Sequence, residues 1–169
     1  KAVEHLVDIG HTSIGCLLGS TQFIPTRRFI EGYRQALRGA GLTEPEDAIV
    51  ETTFTLEAGR AGAQRLIRRG ITAIVAGNDL MALGATLAIP DGSGPVAVIG
   101  YDGTDMTAFT KPALTTARQP FEDMARLISN AIVSEVDGSR RYRDHYVFEP
   151  QLVVRDSSPP LAHHALADR

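Results

Sequence analysis

Within residues 13–89 the chain repeats one pattern three times: a short apolar run, a polar tip, then a stretch whose apolar residues recur at helical spacing. The runs are "SIGCLLG" (13–19), "AIVETTF" (48–54) and "ITAIVAG" (71–77); a fourth, "PVAVIGYD" (95–102), has no helix directly after it. Unbroken apolar runs of this length mark strands covered on both faces. "TRRFIEGYRQALRGAG" carries Phe29, Ile30, Tyr33, Ala36 and Leu37 on one helical face, with Gly39 and Gly41 as the stop. "LEAGRAGAQRLIRRG" has Glu57 in its first turn and Arg68 and Arg69 in its last, the order a helix dipole favours. Its Gly59 and Gly62 lower helix propensity and are expected to let it lie close against a sheet. "LMALGATLAI" is the third helix. This alternation predicts an α/β fold, a parallel sheet with helices on both faces and right-handed crossovers.

In such a sheet, ligands sit outside the carboxyl ends of the strands, where helix N-termini present free backbone N–H groups. Gly19, Phe54, Gly77-Asn78-Asp79 and Gly100-Tyr101-Asp102 all fall at those ends. Taken singly, each has a plainer role. Asn78 is a favoured N-cap, Asp79 suits the first turn of a helix, Asp102 can cap a turn and Phe54 can be core. Taken together, they put polar and aromatic groups on one rim, as a small-molecule pocket requires.

Composition removes several other functions. The 169 residues are 43% hydrophobic and 22% charged, and the net charge of −3 leaves no basic footprint for nucleic acid. No apolar run is long enough to span a membrane, and the start shows no signal peptide. Cys16 is the single cysteine, which excludes a disulfide within the chain and points to a reducing compartment. There is no P-loop, no dinucleotide fingerprint and no nucleophile elbow. None of the five histidines pairs at helical spacing with a carboxylate as a zinc site would need. Asp102 and Asp105 can be drawn as an acid/base pair but have no nucleophile beside them. No catalytic residue, metal or cofactor is therefore assigned.

After Asp102 the rhythm breaks. A loop through "KPALTTARQP" leads to an amphipathic helix, "FEDMARLISNAIVSEVDG", with Phe121, Met124, Leu127, Ile128, Ala131 and Ile132 in its stripe. An extended stretch, "DHYVFEPQLVVRDSS", is split by Pro150, and Pro160 opens a polar tail expected to be frayed.

The motifs "EHLVDIGHTSIGCLLG", "GYRQALRGAG", "GNDLMALGATLAI", "VAVIGYDGTD" and "PALTTARQPFEDMA", in this order, resemble the lactose-repressor/galactose-repressor family of bacterial transcription regulators. The resemblance runs to about Ser158. It implies a type I periplasmic-binding-protein-like sensor of two α/β subdomains joined by three crossover strands, with an effector in the cleft. On that template residues 1–117 are the C-terminal effector-binding subdomain. Residues 118–150, with a strand near 146–148, are a remnant of the N-terminal subdomain; 151–157 form the strand returning from it, and 158–169 are a flexible tail. The chain is expected to be a piece of a longer protein whose DNA-binding headpiece, hinge and first half-subdomain precede Lys1, so that this piece alone does not read an operator. The stripe of the 121–137 helix is then expected to meet a second copy or upstream chain.

The resemblance also implies site residues. Asn78 matches the family's "ND" asparagine and Asp102 the aspartate of "GYD", both effector contacts. Phe54 stands where the family packs an aromatic on the ligand, and Gln119 matches a polar position at a crossover. One position departs: the family's cleft arginine, three residues before the "GY" pair, is here Phe29. Arg28 is adjacent but about 100° away around a helix. Phe29 implies either core packing with Tyr33 or an effector with a less polar face. The expected partners are a sugar or sugar-like effector, operator DNA through the headpiece, and a second copy in a homodimer; the expected location is cytoplasmic, with no membrane. Two alternatives stay open: a periplasmic sugar-binding protein feeding a transporter, and an α/β enzyme using Asp102.

Overall fold

The structure is a computed structural model and describes residues 1–138 and 145–161. In chain order these form α1 (Ala2–Asp8), β1 (Ile14–Leu18), α2 (Ile24–Gly39), β2 (Ile49–Glu51), α3 (Leu56–Arg68), β3 (Ala73–Ala76), α4 (Asp79–Thr86) and β4 (Ala97–Asp102). A 3₁₀ turn (Asp105–Ala108), β5 (Thr115–Arg118), α5 (Phe121–Val136) and β6 (Gln151–Val153) follow. The sheet runs β2-β1-β3-β4-β5-β6. Its first five strands are parallel and β6 is antiparallel to β5. The expected α/β architecture is present.

Every residue of β1 is buried, as its unbroken apolar run requires. Its side chains alternate. Ile14, Cys16 and Leu18 join Tyr33 and Leu37 beneath α1 and α2, whereas Leu17 joins Val50, Leu66 and Met81 beneath α3 and α4. Full burial of such a side chain contributes about 1.5–3 kcal/mol, so the sheet is fixed from both faces. The Tyr33 hydroxyl stays paired in this core by donating to the Ile14 carbonyl at 2.8 Å.

The two helix glycines divide their work. A Cβ on Gly62 would lie 2.6 Å from Leu17 Cδ2, so Gly62 does bring α3 onto the sheet. A Cβ on Gly59 would lie 2.3 Å from the Met81 carbonyl oxygen, so Gly59 serves the contact between α3 and α4 instead.

Three expectations fail. The loop through "KPALTTARQP" contains β5, whose Thr115 and Thr116 are fully buried. Their hydroxyls are satisfied by Arg155 O and by the Asp79 carboxylate, so polarity there does not mean exposure. The strand expected near 146–148 is absent: residues 145–150 are in no ladder and Val147 is 96% exposed. No described strand lies beside it to complete backbone hydrogen bonds. Nor is the tail frayed at its start. Ser158 is buried, the Pro159 carbonyl accepts from His11 Nε2 at 3.0 Å, and the Leu161 amide donates to Ile9 O. The rest of the expected tail, 162–169, lies outside the described residues. Helix α5 forms where its period predicts but has no buried residue.

Candidate functional site: a polar rim at the carboxyl ends of the strands

Strand order reverses between β1 and β3. From β1 the chain steps outward to β2, then returns past β1 to β3. Such a reversal opens a crevice at the carboxyl ends of the two strands. Phe54, which follows β2, lies over it. A Cβ on Gly19 would fall 2.3 Å from Phe54 Cζ, so Gly19 makes room for the ring, and one on Gly77 would meet Cε1 at an ordinary contact distance of 3.5 Å. The ring is nonetheless 45% exposed, as an apolar wall facing open space would be.

Beside it, Asn78 caps α4. Its Oδ1 accepts from the Met81 amide at 2.8 Å, while Nδ2 makes no hydrogen bond among the described residues. The capping role and a remaining donor coexist in one side chain.

Asp102, at the end of β4, has φ 115°, and Gly103 follows at φ 76°. An aspartate there carries backbone strain on the order of 1–3 kcal/mol, which persists only if its surroundings hold it. Gln119 supplies part of that hold: its amide donates to Asp102 O at 3.1 Å and its Nε2 to Asp102 Oδ1 at 2.8 Å. Burial pushes the Asp102 carboxyl above its usual range; the Gln119 bond opposes this and the Asp79 carboxylate adds to it.

Phe29 belongs to a different part of the rim. It packs in the α1–α2 cluster and meets Tyr101 edge-on, with ring centroids 6.0 Å apart and planes at 74°. The cluster it packs against includes Tyr33, the core partner expected from sequence, and its ring contact is with Tyr101. Arg28, set aside above as pointing elsewhere, lines with Phe29 and Tyr101 a hollow of ≈ 360 Å³. A second hollow of ≈ 360 Å³ lies against Gln119, Arg118 and Phe121. Both flank the Asn78–Asp102 stretch instead of enclosing it. Phe54, Asn78, Asp102 and Gln119 therefore follow successive strands along an open shelf.

The sequence reading missed the residue beneath this shelf. Asp79, read as a first-turn charge, is 2% exposed. Its Oδ2 accepts from the Thr104 amide and hydroxyl, both at 2.8 Å, and its Oδ1 from the Thr116 hydroxyl at 2.6 Å. Gly100 was the available signal, since a Cβ there would lie 2.5 Å from Asp79 Oδ1.

A parallel sheet with such a rim at its strand-order reversal is the frame of a small-molecule-binding domain. The sequence matches the family described as periplasmic binding protein-like domain over residues 3–158, and the chain belongs to that family, within its lactose-repressor/galactose-repressor branch. It is 39% identical over 165 residues to the HTH-type transcriptional regulator MalR of Streptomyces coelicolor, covering 93% of this chain and 48% of that protein. Among solved structures it resembles the transcriptional regulator CelR in complex with cellobiose (TM-score 0.83, 30% identity, 92% of this chain and 49% of that one). It also resembles a lac repressor dimer bound to operator and the anti-inducer ONPF (TM-score 0.82, 27% identity, 94% and 56%). The chain spans about half the length of the curated relatives it matches.

Proposed function

We propose that this chain is the C-terminal effector-binding part of a cytoplasmic, homodimeric transcription regulator, and that the shelf from Phe54 to Gln119 holds a neutral, hydroxyl-rich effector such as a mono- or disaccharide. The observation that carries the reading is Asp102: a strained, partly buried carboxylate with one oxygen fixed by Gln119 and the other without a protein partner among the described residues. Asp102 Oδ2 accepts from effector hydroxyls, Asn78 Nδ2 donates to them, and Phe54 covers the apolar face of the ring. Phe29, where the family places an arginine, puts there a ring that packs on Tyr101, while Arg28 stays beside it in the outer hollow. This is binding, not catalysis; the side chain hydrogen-bonded to the Asp102 carboxylate is the Gln119 amide, which transfers no proton.

Residues 1–117, with the returning 151–157 segment, are one wall of the cleft, and 118–150 belong to the opposite subdomain. The remainder of that subdomain and a DNA-reading headpiece lie in chain outside this one, and effector closure alters how paired headpieces sit on operator DNA. The relatives support the regulator over a transport protein or an enzyme: one is an HTH-type regulator, and another was solved as a dimer on operator.

Calorimetric titration of the full-length protein with ribose, glucose, maltose and cellobiose tests this. One of these is expected to bind, and Asp102→Ala to weaken it on the order of tenfold to a hundredfold, the worth of a hydrogen bond to a charged acceptor. Micromolar binding of a sugar phosphate, or unchanged affinity in Asp102→Ala, would overturn the assignment.

A further inference from the structure

A carboxylate withdrawn from water is tolerated when a cation, hydrogen bonds or a helix N-terminus stabilises its charge. For Asp79 no basic side chain lies within ion-pair distance among the described residues. It relies instead on being the first residue of α4 and on three bonds from Thr104 and Thr116. Where those bonds go matters more than their number.

Thr104 is the first residue after the left-handed pair Asp102 and Gly103. The turn is therefore gripped at both ends: Gln119 holds Asp102, and Asp79 holds the backbone and side chain of Thr104. Behind Thr104 the bonds continue. Its carbonyl accepts from Thr107 Oγ1 at 2.6 Å, and Thr107 Oγ1 accepts from Arg155 Nη1 at 3.2 Å. Thr116, by contrast, ties the same carboxylate to β5 and not to the turn.

We propose that Asp79 is a positioning residue for effector binding: without touching effector, it holds the Asp102–Gly103 turn left-handed through Thr104, and so fixes the Asp102 carboxylate relative to Asn78, the residue directly before it. The inference rests on the shelf being the effector site, as proposed above. A buried cap with only a structural role would hold Thr104 and Thr116 alike and have no selective effect on the turn.

The full-length protein and its Thr104→Val, Thr116→Val, Asp79→Ala and Asp79→Asn variants decide between these. Thr104→Val and Thr116→Val each delete one hydroxyl bond to the same carboxylate with matched shape. Amide hydrogen exchange is read at residues 102–104 against β1 as internal reference, and affinity by calorimetry with the same four sugars. Thr104→Val is expected to speed exchange at 102–104 selectively and weaken the bound sugar about tenfold, whereas Thr116→Val changes affinity less than about twofold. Asp79→Ala exposes the turn further, Asp79→Asn restores it by keeping an acceptor for Thr104, and adding Thr104→Val to Asp79→Ala has no further effect on affinity.

Equal changes in the two valine variants, or unchanged exchange at 102–104 in Thr104→Val, overturn the positioning role, and this comparison stands even where Asp79→Ala does not fold. If none of the four sugars binds the parent protein, the sugar reading falls instead, while the exchange measurement still decides the grip.

Discussion

The two ends of the parallel sheet bury polar groups in contrasting ways. At the amino ends, His11 Nδ1 pairs with Thr72 Oγ1 at 3.0 Å and Nε2 donates to Pro159 O. Ser157 Oγ accepts from the Thr115 amide and donates to Val98 O, and Ser158 Oγ joins Thr115 Oγ1 at 2.8 Å and His5 Nε2 at 3.1 Å. Arg155 Nη1 donates to Leu114 O at 2.6 Å. These groups link segments far apart in sequence and bond largely within their own end, with Arg155 also reaching Thr107 behind the Thr104 turn. At the carboxyl ends the backbone is strained at Asp102, an aromatic ring is half exposed, and one carboxylate oxygen and one amide nitrogen have no protein partner among the described residues. One end serves folding; the other accepts a local cost to present unused hydrogen-bonding groups.

The largest expected effect of breaking this division lies at the amino end. His11→Ala removes both ring bonds and leaves a void in a fully buried site. It should cost about 2–4 kcal/mol, or a fall in thermal midpoint of roughly 5–15 °C. Effector affinity measured well below the lowered midpoint is expected to stay within about twofold, below the ~1.4 kcal/mol of a tenfold change. A matching loss of affinity would show that the two ends are not separable.

At the carboxyl end the sign reverses. Asp102→Gly places at φ 115° the residue that adopts this conformation most readily. It is expected to raise stability by about 1 kcal/mol in denaturant unfolding while abolishing the carboxylate's contribution to binding. A destabilised Asp102→Gly would mean that the Gln119 bond outweighs the strain, and that this end also serves the fold.

The same division governs what could be read from sequence. The four apolar strands were legible because burial on both faces leaves an uninterrupted signal, and the rim followed once strands and helices were in order. β5 was hidden because Thr115 and Thr116 find partners in Arg155 and Asp79, which only the tertiary fold brings near. Asp79 resembled an ordinary first-turn acid for the same reason, as its burial depends on Thr104, Thr116 and the space at Gly100. Segment 158–161 looked like tail because His5 and His11 lie at the other end of the chain. Asn78 was ambiguous in sequence and has both roles open in the structure: its oxygen caps α4, and its nitrogen is left over. The openness of the shelf was not legible at all, since it depends on what stands opposite.

The smallest effect, and the finest comparison, is in pH. Burial lowers His11 from its ordinary 6.5, with the Pro159 hydrogen bond opposing. Burial likewise lowers His5, opposed by Asp8 and helped by His11. A histidine with a depressed folded pKa binds fewer protons folded than unfolded, so its contribution is complete above 6.5 and is lost as pH falls toward the folded value. Asp102 has the opposite sign. Its folded pKa is raised from 3.8, so the folded state holds its proton longer, and that contribution is present below 3.8 and lost as pH rises through the folded value. The thermal midpoint is therefore expected to fall on acidification below 6.5 through the amino end, partly offset at lower pH by Asp102. His11→Gln should flatten the fall, and Asp102→Asn should steepen it. At roughly 2–4 °C per kcal/mol, midpoints taken every half unit between pH 4 and 8 resolve the difference. If Asp102→Asn instead flattened the curve, the carboxylate would be one the fold stabilises, and the contrast between the two ends would fail at the residue that most defines it.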